Sequence, residues 1–228
     1  PNLRGIRGTC WRTGKKDDIP EKAVILPSFE QVSEKTDKGR HSFAQSYLLQ
    51  EQNTDAHSAQ VLAEQSDSRW IIQEKPCFPL STEEFDRVME LPFLRTWHPV
   101  YDKAAGNGKT GVPALQEVLF SLTSCRGCFG ACSFCAITFH QGRTIQQRSH
   151  ESIIAEAETF QYDPEFKGYI HDVGGPTANF REPSCAKQLK TGVCKKQQCL
   201  FPTACKNLRI DHSNYVVLLR KLRKVPKV

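Results

Sequence analysis

The chain has 228 residues and a formal net charge of +6, enough length to bury roughly 70% of its unfolded surface in one or two domains without disulfides. It holds no apolar run of membrane-spanning length, and its 10 cysteines fall in closely spaced sets that suit metal binding, which excludes a secreted disulfide scaffold and predicts a reducing, cytoplasmic setting with no membrane partner. The charge is uneven: residues 181–228 carry twelve Lys or Arg against two acids, Glu182 and Asp211, so the remainder is net negative.

In chain order, GTCWRTG (8–14) and AVILPS (23–28) read as short strands bounded by Gly and Pro. Ser28 and Gln31 fit a capping box that opens a helix, which the Lys, Asp and Gly of TDKGR (36–40) are expected to break before SFAQSYLLQE (42–51) resumes. Residues 52–68 are polar and carry no pattern. RWIIQEK (69–75) alternates, with Trp70 and Ile72 on one face of a half-buried strand. Ser81 and Glu84 form a second capping box ahead of Phe85, Val88 and Met89, and Pro92 stops that helix. YDKAAGNGKTGVPA (101–114) is a Gly-rich linker whose glycines lack the order of a phosphate loop. It divides a smaller α+β region, residues 1–111, from residues 112–228.

Beyond the linker the pattern alternates strand and helix. LQEVLFSLT (115–123) suits a strand buried on both faces. Ser149 caps a helix with Ile153, Ala157 and Phe160 on one stripe, and KGYIHDVGG (167–175) returns as the next strand. A cysteine-rich loop occupies 181–210, and Asp211 or Ser213 opens a last helix with Tyr215, Leu218, Leu219 and Leu222 on one face. The predicted class is α/β: the beginning of a partial TIM barrel, with ligands at the C-terminal strand ends.

The segment CFGACSFC sets Cys128, Cys132 and Cys135 at CxxxCxxC spacing, three soft thiolates on one short loop after the first of these strands. Three such ligands hold one face of an iron–sulfur cubane and leave the fourth iron open to a small molecule. This spacing resembles that of the radical S-adenosylmethionine (SAM) enzymes. A structural zinc needs four ligands, and Cys125 on the same loop offers the fourth, so a zinc reading stands beside the cluster reading. A second set, Cys185, Cys194, Cys199 and Cys205, lies among Lys187, Lys190, Lys195 and Lys196; it either closes a second metal or iron–sulfur site or consists of ordinary reduced cysteines. Cys10 and Cys77 read as isolated buried small residues.

The strings FPLSTEEFDRVMELPFLRTWHPVYDKAAG, RGCFGACSFCAITFHQGRTIQQRS and GYIHDVGGPTANF resemble the YgiQ family, bacterial radical SAM proteins of unassigned reaction. With Pro1 first and a single Met, the chain is expected to be a middle piece of such a protein. The resemblance implies that Cys128, Cys132 and Cys135 ligate a [4Fe–4S] cluster whose open iron takes SAM. It further implies a 5′-deoxyadenosyl radical as product and an electron donor such as flavodoxin or ferredoxin. Phe134 then lies on the adenine side, or is a plain core aromatic. Gly174 and Gly175 match the first two positions of a Gly-Gly-Glu motif that receives the SAM amino group, although Pro176 replaces the acid. His140, Arg143 and Arg148 are candidates for the SAM carboxylate, and His171 and Asp172 for the mouth of the site. The competing class is a zinc-stabilised module binding nucleic acid through the basic tail, and a radical SAM enzyme acting on RNA combines the two.

Overall fold

The computed structural model describes residues 2–103, 111–176, 180–195 and 197–228. Half of the expected linker, residues 104–110, lies outside them. The elements run β1 (Cys10–Thr13), β2 (Val24–Ile25), α1 (Phe29–Ser33), α2 (Asp37–Glu51), β3 (Leu62–Ser66), β4 (Arg69–Gln73), α3 (Thr82–Met89), α4 (Leu115–Val118) and β5 (Ser121–Thr123). They continue as β6 (Cys125–Arg126), α5 (Ile137–Gln141), β7 (Gln146–Gln147), α6 (His150–Thr159), β8 (Asp172–Gly174), α7 (Ala186–Thr191) and α8 (Ser213–Leu222). The protein is a mixed α/β chain with small sheets, and it divides into two compact units that interleave along the sequence.

The first unit takes Pro1–Pro79, Phe129–Thr144 and Ser184–Leu208. Its sheet has the order β1-β4-β3-β2, antiparallel at β1–β4 and β3–β4 and parallel at β2–β3. Ile72, in the central strand β4, is fully buried opposite Trp11 and Ala63. The N-terminal ends of α1 and α2 are set by caps: Ser28 and Gln31 form the predicted box, and Thr36 accepts from the Gly39 N–H. TDKGR therefore does not break the helix. The break falls at residues 34–36, and Gly39 sits inside α2 because a Cβ there would collide with the Glu34 carbonyl oxygen. Strand β3, in the stretch without sequence pattern, exists through its ladder to β4. Cys10 and Cys77 are exposed, against expectation: Cys10 is on the outward face of edge strand β1, and the Cys77 thiol reaches the Arg7 carbonyl at 3.2 Å.

The second unit takes Leu80–Cys128, Ile145–Pro183 and Arg209–Val228. Strands β5 and β8 pair in parallel, Leu122 opposite Val173, with α6 between them in sequence. Phe120, Leu122, Ile153, Ala157, Phe160, Leu218, Leu222 and Val225 make one apolar cluster. The Ser81–Glu84 box caps α3, and Ser149 caps α6 through the Ser152 N–H, both as predicted. The strand expected over 115–123 is shorter. Pro113 starts a turn that becomes α4, Val118 is exposed, and extended backbone begins at Ser121. The second strand is likewise confined to Asp172–Gly174, after Gly168 takes a positive φ of 86°.

Candidate metal centre

The root of the cysteine loop is built in the second unit. The Ser124 N–H extends the parallel ladder by donating to the Gly174 carbonyl at 2.6 Å. Cys125 follows on β6 and is 1% exposed, its thiol 3.4 Å from the Phe180 carbonyl. A Cβ on Gly175 would stand 2.5 Å from the Cys125 sulfur, so the glycine makes room for this cysteine. Burial pushes the Cys125 thiol up, partly offset by a Ser124 hydrogen bond and the Arg181 charge. Packed in this way, Cys125 is a core group at the root of the loop.

Two buried guanidiniums clamp this root. Arg148, 1% exposed, pairs with Glu156 at 2.5 Å and donates to the Ser152 hydroxyl and the Thr123 carbonyl. Arg95 also pairs with Glu156. Arg181, 2% exposed, donates to the carbonyls of Ser124 and Arg148 and to Asn214. Arg148 thus has structural partners. His171 holds β5 from the side, its N–H on the Phe120 carbonyl and its Nδ1 3.2 Å from the Glu117 carbonyl. Asp172 is exposed, and its carboxylate fills the space beside Gly174. Cys128 is half-buried at the end of this stretch.

The rest of the loop belongs to the first unit. Phe129 is fully buried, Ala131 has a positive φ of 50°, and the Cys135 N–H closes a turn on the Cys132 carbonyl at 3.0 Å. Cys132 is exposed and Cys135 half-buried. Phe134 is 90% exposed, so it is not a core aromatic. Helix α5 follows and is closed by Gly142 at φ 77°. The Tyr47 hydroxyl donates to the Ser133 carbonyl at 3.2 Å, and its ring lies 5.4 Å from that of Phe139. Together α2, β3 and this segment line a cavity of about 390 Å³, with Phe43, Tyr47, Glu64, Phe134, Cys135 and Phe139 in its wall. His140 is exposed, whereas Arg143 is 6% exposed.

Three thiols on one segment, none in a disulfide, supply the donor chemistry of an open cubane. Among the described residues no three His, Cys, Asp or Glu groups are arranged to hold a metal ion. The same holds for the second set. Cys194 is exposed with Lys187 Nζ 3.6 Å from its sulfur, and the Cys199 thiol donates to the Ser184 hydroxyl at 3.4 Å. The Cys205 N–H bonds the Cys199 carbonyl. Lys196 lies outside the described residues.

The family model described as Radical SAM N-terminal matches residues 1–121. The chain belongs to the radical SAM N-terminal family. UPF0313 proteins of Clostridium perfringens (strain 13 / Type A) and of Clostridium botulinum (strain Okra / Type B1) are 46% and 48% identical to it, over 99% and 100% of its residues. The YgiQ-family resemblance read from the sequence agrees with these relatives, and the chain spans about a third of their length, 33% and 34%. The cysteine loop lies beyond the part of this radical SAM chain that the family model matches, and within the part that the relatives share. Sequence reasoning missed Glu156 and Arg181, whose clamp on the loop's root leaves no local signal, and the cavity wall on α2. Among the described residues no helix is long and apolar enough to cross a membrane.

Proposed function

We propose that this protein is part of a radical SAM enzyme in which Cys128, Cys132 and Cys135 ligate a [4Fe–4S] cluster. The observation that supports the reading is the burial of Cys125, hydrogen-bonded at the loop's root, which leaves the CxxxCxxC set of the other three, none in a disulfide, as the candidate ligands. When bound, such a cluster supplies an electron to SAM and yields a 5′-deoxyadenosyl radical. The chain's own part is to fix the loop's root through Arg148 and Arg181 and to present Cys132 and Cys135 on a turned segment. Phe134, exposed beside Cys135, offers an adenine ring a flat face. Gly174 and Gly175 end the parallel strand where a SAM amino group would dock, although Gly174 already accepts from Ser124.

Residues 112–228 begin, in this proposal, a partial barrel of which β5, α6 and β8 are the first parallel unit, preceded by the α+β region 1–111. Cys185, Cys194, Cys199 and Cys205 are proposed as ligands of a second metal or cluster, supported by four unpaired thiols in one loop. A cytoplasmic setting and a flavodoxin or ferredoxin donor complete the reading, with the substrate unnamed.

The test is anaerobic reconstitution with iron and sulfide. Wild type should turn brown, hold about four irons per open-site cluster and change its electron paramagnetic resonance signal on adding SAM. Cys132→Ala should lose that signal and its iron, and Cys125→Ala should keep both. Colourless protein with stoichiometric zinc, or full iron in Cys132→Ala, overturns the assignment.

A further inference from the structure

The buried arginines differ in one respect. Arg181 donates from all three guanidinium nitrogens and Arg148 from both Nη atoms, so that only the Arg148 Nε lacks a partner between them among the described residues. Arg143 is also nine-tenths buried, at 6% exposure, yet among the described residues both its Nε and its Nη2 have no hydrogen-bond partner. These two atoms form the side edge of the guanidinium, the pair of parallel donors that matches a planar two-oxygen anion. Two idle donors on a buried guanidinium are costly, so they call for an acceptor that the described residues do not supply.

The position is fixed from the backbone. Gly142 ends α5 at a positive φ, and the Arg143 carbonyl accepts from Gln188 Nε2 at 3.0 Å. Gln188 is 2% exposed, and its Oε1 accepts from the N–H and hydroxyl of Ser184. The fork therefore stands on a braced residue of the segment that also carries Cys132 and Cys135.

We propose that Arg143 is a carboxylate-binding residue, gripping a ligand carboxylate side-on through Nε and Nη2. Under the radical SAM reading, on which only the identity of the ligand rests, the carboxylate comes either from the amino-acid end of SAM or from a substrate acid.

Three measurements test this on the whole chain. First, without ligand, Arg143→Met removes an unpaired buried charge, and its thermal midpoint should rise by about 2–4 °C; a fall would mean the guanidinium is already satisfied, and would overturn the proposal. Second, sodium formate should raise the wild-type midpoint more than sodium chloride of equal ionic strength, and should not do so in Arg143→Met. An equal response in both proteins overturns it. Third, the affinities of reconstituted protein for SAM and for decarboxylated SAM are compared. If the carboxylate is that of SAM, the ratio should drop at least about tenfold in Arg143→Met and partly recover in Arg143→Lys, which keeps charge without the fork. An unchanged ratio beside an Arg143-dependent formate effect assigns the site to a substrate acid. Absence of binding by either compound counts against the radical SAM reading and leaves the formate result to decide the carboxylate site.

Discussion

The two units bury different things. The first closes its sheet over small or mid-sized side chains, Leu26, Ala59, Leu62, Ala63 and Ile72, buries a single aromatic, Phe129, among the described residues, and relies on backbone ladders and caps. The second packs Phe85, Phe120, Ile153, Phe160 and Leu218, and places Arg148, Arg181 and Glu156 at the edge of that core. A charge network inside a large-residue core is costly to build and costly to break, and it sits where the cysteine loop leaves the parallel pair. Rigidity is thus concentrated at the loop's root, while Cys132 stays exposed.

The comparison breaks most readily at Glu156. Glu156→Ala strips the anionic partner from both Arg148 and Arg95, and urea unfolding should show a loss of about 3–5 kcal/mol. A double variant, Glu156→Leu with Arg148→Met, should recover the share of that loss that belongs to Arg148, since an apolar pair of similar volume does without the desolvation, and leave the share of Arg95. A loss below about 1 kcal/mol in Glu156→Ala would show that the network adds little to the apolar cluster.

Next in size are the caps. Ser28→Ala in the first unit and Ser81→Ala in the second each remove one half of a reciprocal box, at about 1 kcal/mol apiece in the same assay. If the first unit depends more on local hydrogen bonds, as its small core implies, the Ser28 change should be the more damaging; equal losses would remove that contrast.

Caps were legible in the sequence because they are local: a serine and a partner three residues on settle the geometry at Ser28, Ser81 and Ser149 without reference to the rest of the chain. Strand β3 was not, since Leu-Ala-Glu-Gln-Ser shows little strand character until β4 supplies its ladder. Gly39 misled for the opposite reason, because a residue that weakens an isolated helix is required where the Glu34 carbonyl closes in. At the candidate site the three motif cysteines could be read from spacing. The burial of Cys125, the clamp of Arg181 and the empty-handed fork of Arg143 are tertiary facts, set by residues far away in sequence.

The smallest expected effect, and the one that looks inside the first unit, is a pH dependence at two glutamates. Burial beside the cavity raises the Glu64 carboxyl, and the negative charge of Glu30 raises it further. Folded Glu64 therefore holds its proton to a higher pH than the unfolded chain, whose value is about 4.5. As pH rises above that value the unfolded state releases its proton first, so this residue's contribution to stability falls until the folded carboxyl has ionised too. Glu64→Gln should then match wild type in acid and exceed it at neutral pH. Glu30 has the opposite sign: the Asp67 N–H, at 2.7 Å, holds its carboxyl below the ordinary value. Its contribution is present at neutral pH and is lost as pH falls through the lowered value, so Glu30→Gln should weaken the protein at neutral pH and converge with wild type in acid. Chemical denaturation of the three proteins at pH 4 and pH 7 reads both. If the two variants shift in the same direction at pH 7, the cavity wall does not desolvate Glu64, and the contrast between these two carboxylates fails.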